Sequence, residues 1–143
     1  MTYPSRPLVT PAKIDGASIP ELLENLKLPE YRTRYRSRRE LRGRDRDEVI
    51  AAVQNWTKSL DKNDPNTSHH QLEALWVTWG MNRVDQDLLK ELLKSPDHRV
   101  RAAATRVVRY TGHQVKDQAE LLLAAAKDCL LYTSPSPRDR TRS

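Results

Sequence analysis

Eight arginines fall within fifteen positions, at 32, 34, 36, 38, 39, 42, 44 and 46. Guanidiniums at this density can grip phosphate, because closely spaced fixed cations neutralise a polyanion and release its counterions. Placed on a helix, however, the run is spread around the cylinder. Arg32, Arg36 and Arg39 take one side, and Arg34, Arg38 and Arg42 take another. Glu30, Glu40, Asp45, Asp47 and Glu48 lie within pairing reach, and Tyr31 and Tyr35 can stack on guanidinium planes or pack between helices. The run therefore reads as a solvated, partly salt-bridged face. Those six arginines form the candidate interaction surface, expected to dock an acidic neighbouring domain. A nucleic-acid groove is the alternative.

Other chemistries find less support. His69 and His70 are adjacent, so on a helix they point about 100° apart and cannot chelate one ion as an i, i+4 pair would. His98 falls in a turn and His113 after a glycine stop, and the single Cys129 rules out a thiolate cage or an internal disulfide. Trp56, Trp76 and Trp79 share helical spacing with Leu and Val, which favours core over a ligand groove, with Trp79 the most exposed of the three. No nucleophile elbow, phosphate-binding loop or dinucleotide glycine motif is present. The chain reads as non-enzymatic, with no catalytic, cofactor-binding or metal-ligand residue assigned.

The elements that hold these residues are helices. The 143 residues suffice for one domain. Charged residues make up 31%, and no apolar run approaches the roughly 20 residues of a membrane span. Phe is absent and only 4 glycines occur, which disfavours a turn-rich β protein. Pro4, Pro7 and Pro11 make residues 1–17 an extended linker. Ser18 and Glu21 form a capping box for a first helix with Ile19, Leu22, Leu23 and Leu26 inward, ended by Leu28-Pro29. A second helix runs from about Glu30 to Arg42 and stops at Gly43.

Asp45 caps a third helix carrying Val49, Ile50, Val53, Trp56 and Leu60. After a polar turn, Ser68 and Gln71 start a fourth with Leu72, Leu75, Trp76 and Trp79 inward, ending at Gly80. Val84, Leu88, Leu89, Leu92 and Leu93 mark a fifth; Val100, Ala103, Ala104, Val107 and Val108 mark a sixth. Asp117 and Glu120 begin a seventh with Ala119, Leu122, Leu123 and Ala126 on its apolar side. Without a following partner helix, that side should lie partly in water.

A shift of 67 residues superposes Leu22 on Leu89, Leu26 on Leu93, Pro29 on Pro96, Arg34 on Arg101 and Leu41 on Val108. Units that cannot bury an apolar face alone stack on their neighbours, so the expected architecture is all-α, an α-solenoid of antiparallel helix hairpins with about three repeats plus one unpaired helix over residues 18–128. Within it, LLKELLKSPDHRVRAAATRVVRYTG resembles a HEAT repeat, with a leucine-rich first helix, a Pro-Asp turn and Val-Arg entering the second helix. The resemblance implies a ladder in which Arg34 and Arg101 pair with acidic groups at a neighbouring turn, with Asp97 and Asp64 as candidate partners.

More narrowly, the run LRGRDRDEVIAAVQNW with HHQLEALWV and LLKSPDHRVRAAATRVVRY resembles the HEAT segment of planctomycete-type membrane-bound dehydrogenases. Those proteins join a sorbosone-dehydrogenase-like propeller, HEAT repeats and a c-type haem domain. The resemblance implies that Met1–Pro11 ends a propeller, and that the chain is a non-catalytic spacer contacting adjacent domains of its parent or another protein. It further implies an exported parent with haem c bound outside this chain, since no haem motif occurs here. Residues 129–143, CLLYTSPSPRDRTRS, lack helical periodicity and resemble translated adaptor read-through, a non-native disordered tail.

Overall fold

The computed structural model describes residues 10–127. The expected end of a propeller at Met1–Pro11 lies mostly outside this range, and the tail at 129–143 lies wholly outside it. The fold is all-helical, and no strand occurs among the described residues. Seven α-helices follow in order: α1 (Ile19–Glu24), α2 (Tyr31–Arg42), α3 (Arg46–Ser59), α4 (Thr67–Gly80), α5 (Gln86–Leu92), α6 (His98–Tyr110) and α7 (Gln118–Ala126). A 3-10 turn at Asn25–Lys27 extends α1.

Local chemistry sets most boundaries. Ser18 accepts from the Glu21 backbone N–H while the Glu21 carboxylate takes the Ser18 N–H at 2.7 Å, so the capping box closes reciprocally. Asp45, Asp85 and Asp97 cap α3, α5 and α6 by accepting from the backbone N–H of Glu48, Leu88 and Arg99. Three helix ends differ from the sequence reading: α5 begins at Gln86, so Val84 precedes it, and the ends near Thr67 and Gly43 also differ. α4 begins at Thr67, after Asn66, with no side-chain cap; Asp61 and Asp64 instead fold the preceding turn by accepting from the N–H groups of Asn63 and Asn66. Gly43 follows α2 in right-handed geometry, so it does not serve as a left-handed stop. The left-handed residue after α4 is Asn82, at φ 56°.

Each helix pairs with its chain neighbour: α1 touches α2, α3 touches α4, and α5 touches α6. A second set of contacts links the pairs. α2 packs on α4 and α4 on α6, so the second helices form one row with α4 in its middle, while α1 packs on α3. Leu22, Leu26, Leu41, Val49, Val53, Leu75, Leu89, Leu92, Val107 and Val108 are each at most 1% exposed and belong to one contiguous core. Each such leucine stabilises the fold by about 1.5–3 kcal/mol relative to exposure. Trp56 is buried as expected, whereas Trp76 and Trp79 are half-buried.

α7 differs from the rest because none of its residues is buried. Leu122 is half-buried, Leu123 is 66% exposed, and Ala119 and Ala126 face water. Leu121, absent from the expected inward set, packs against the core. No helix among the described residues is long and apolar enough to cross a membrane.

Candidate interaction groove

The arginine at the fourth position of α2 and of α6 does the same work in both places. Arg34 Nη1 donates to the carbonyls of Leu28 and Pro29, each at 2.7 Å. Arg101 Nη1 donates to the carbonyls of Ser95 and Pro96, at 2.9 and 3.0 Å. The turn between two helices leaves carbonyls without backbone donors, and an arginine one turn into the next helix folds back to satisfy two of them. The Pro-acidic turn fixes the distance, because proline ends one helix and the acidic residue begins the next. The middle pair has no such arginine; its longer turn is closed by Asp61 and Asp64.

The carboxylate partner of Arg34 is neither Asp64 nor Asp97. It is Glu73 of α4, which is 1% exposed and accepts from Arg34 Nε at 2.9 Å and from Arg38 Nη1. A buried carboxylate is tolerated only when paired and hydrogen-bonded, and here two guanidiniums from one neighbouring helix meet that need. Asp97 instead accepts from the N–H and guanidinium of Arg99, and these bonds hold its carboxyl below the usual range. Asp64 lies 3.8 Å from His70 Nδ1. Glu73 was legible only as a lone carboxylate in the apolar run LEALWV, an arrangement that asks for a buried partner.

The two histidines face different neighbours. Burial pushes the His69 imidazole below its ordinary value, Glu73 at 3.5 Å opposes this, and Arg34 and Arg38 add to it. Burial likewise lowers His70, against the pull of Asp64. Both rings are thus neutral neighbours at neutral pH, and His70 packs beside Trp56 in the interior. Trp56 Nε1 donates to Glu24 at 2.9 Å, with Lys27 over the indole face. Burial pushes the Glu24 carboxyl up, but the bonds from Lys27 and Trp56 outweigh it.

Two hollows open along the row of second helices. One, of about 730 Å³, is lined by Tyr31, Arg38 and Arg42 of α2, Trp76, Trp79 and Gly80 of α4, and Ala102, Ala103 and Arg106 of α6. The other, of about 880 Å³, lies at the N-terminal ends of α4 and α6 and shares Trp76 and Ala103 with the first. Arg38 sits over the Trp76 ring at 5.2 Å, and Tyr110 stacks on Trp79 at 6.3 Å.

The expected interaction surface is thereby divided. Arg34 and Arg38 are engaged with Glu73, and Arg42 joins the groove. Arg32, Arg36 and Arg39 are exposed and line neither hollow.

Charge is segregated between the two sets of helices. α2, α4 and α6 carry ten arginines, no lysine and two carboxylates, whereas α1, α3, α5 and α7 carry three basic residues against seven acidic ones. Among the described residues no group of three or more metal-binding side chains comes together. The chain matches no protein-family model, no curated protein and no solved structure.

Proposed function

We propose that this chain is a non-catalytic scaffold of the HEAT type, an α-solenoid segment that spaces and docks adjacent domains of a larger haem-containing, dehydrogenase-like protein. The observation that carries this reading is the recurrence of one arginine clamp, 67 residues apart, at equivalent turns of the first and third helix pairs. A repeated unit whose second helices pack in a row presents an extended surface, the property scaffolds of this kind use. The excess of arginine on that row suits an acidic partner.

The test is to recover the uninterrupted reading frame and titrate residues 1–128 with each flanking domain it encodes. A saturable complex with a propeller or a haem domain is the expected result. A frame with neither domain, or domains that ignore this chain, would remove the proposal.

A second reading, a basic HEAT-like nucleic-acid module, is favoured by the ten arginines of the second-helix row. It requires duplex affinity that falls steeply with salt.

A further inference from the structure

Resting on the docking reading, the geometry points to a particular occupant for the groove between α2 and α6. It is a short acidic segment of a partner protein, its carboxylates on Arg42 and Arg106, with an apolar side chain between them against Trp79 and Ala103. Arg42 and Arg106 come from helices on opposite sides of α4, and both are exposed. Neither forms an ion pair or hydrogen bond among the described residues, while Arg38 beside them is held by Glu73. No carboxylate among the described residues lines this hollow, so Arg42 and Arg106 have no internal answer.

Its floor is built for close approach. The Arg42 guanidinium lies across Gly80, where an added Cβ would stand 3.0 Å from Nη2, and Ala102 and Ala103 lift nothing bulky into the path. Two guanidiniums flanking an apolar strip match carboxylates spaced along a peptide, with each fork able to take one carboxylate in bidentate fashion.

Single-stranded nucleic acid fits less well. Bases need a series of open aromatic faces, but Arg38 takes one face of Trp76 and Tyr110 one face of Trp79, which leaves room for a single apolar side chain and not for a stack of bases. A phosphate track needs a run of cations, and Arg32, Arg36 and Arg39 do not line the groove.

The experiment is fluorescence anisotropy of the full chain with a labelled peptide of about ten residues carrying glutamates on both sides of a leucine, compared with its glutamine counterpart and with an oligothymidylate of similar length. The expected result is saturable binding of the acidic peptide, weakened at least about tenfold by the glutamine exchange and by Arg42→Glu or Arg106→Glu, and less than about twofold by Arg36→Glu. Circular dichroism of each variant checks that the fold is kept. Failure of the wild-type chain to bind the peptide would overturn the groove assignment. So would equal damage from Arg36→Glu, or oligothymidylate that binds more tightly and displaces the peptide. If only Arg36→Glu abolishes peptide binding, the groove assignment falls while the docking reading stands. The titration with flanking domains decides that reading separately.

Discussion

The two faces of α2 carry the same residue type to opposite ends. Arg34 and Arg38 are 14% and 17% exposed in their side chains, and they hold a carboxylate that is itself 1% exposed. Arg32, Arg36 and Arg39, one or two positions away, stand in water with no carboxylate partner among the described residues. Arginine spacing alone does not separate these roles. What separates them is whether α4 presents a partner, and only the Glu73 side does so. A buried ion pair and a solvated charge also differ in worth, since desolvation raises the stakes of the first and screening reduces the second.

Breaking the inner face should have the largest effect. Glu73→Leu leaves Arg34 and Arg38 facing each other without an anion. The expected loss is about 3 kcal/mol, near the low end for a broken buried pair because both guanidiniums can swing toward water. Chemical denaturation would measure it; a variant as stable as wild type would show that the pair carries no weight.

Arg34→Lys is a milder change. One ammonium cannot serve Glu73 and two backbone carbonyls in the fork geometry, so a loss of about 1–2 kcal/mol is expected. Arg101→Lys breaks the matching pair of carbonyl bonds at the third helix pair.

Acid should weaken the same region. His69 and His70 have pKa values lowered below 6.5 in the folded state, so the unfolded chain binds more protons in this range. Their contribution is therefore complete above about pH 6.5 and is lost as pH falls through the lowered folded values. The melting temperature should drop as pH falls below about 6.5, and His70→Gln should flatten that drop. The lowered carboxylates Glu21, Glu24 and Asp97 act only below their ordinary values of 4.5, 4.5 and 3.8, so they do not produce this window.

Ser37, also on α2, is fully buried and its hydroxyl has no hydrogen-bond partner among the described residues. Ser37→Ala removes that group and improves helix propensity, so a gain of about 1 kcal/mol is expected in thermal or chemical unfolding. The smallest effect belongs to the outer face. Arg36→Gln should change stability by less than about 0.5 kcal/mol, and a larger loss would mean that the solvated face carries a contact not seen here.

Much of the fold is legible in the residues themselves. The Ser18–Glu21 box, the aspartate cap at 45, and the apolar spacing of α3 and α6 are local signals, and each appears where the pattern puts it, whereas Val84 and Leu93 of the fifth apolar set flank α5 instead of lying in it. The cap of α4 is Asn66, two residues before Ser68, because two aspartates fold its turn without a side-chain cap on the helix. Gln114 and Gln118 were not legible at all. Gln114 accepts from the N–H of Val84, and Gln118 donates to the carbonyls of Val108 and Arg109. Such bonds join chain segments whose proximity no local pattern reports. The 67-residue register marks Arg34 and Arg101 as equivalents, but their shared contact, two carbonyls of the preceding turn, depends on how that turn folds.

Helix content, caps and the apolar stripe come from interactions within a few residues, so the sequence by itself determined them. Which arginine meets a carboxylate, which indole face is covered and which cations are left facing a groove depend on groups far apart in the chain, such as Arg38 and Glu73, separated by 35 positions. Only the packing of α4 between α2 and α6 decided those, because burial and pairing are properties of the assembled row of helices.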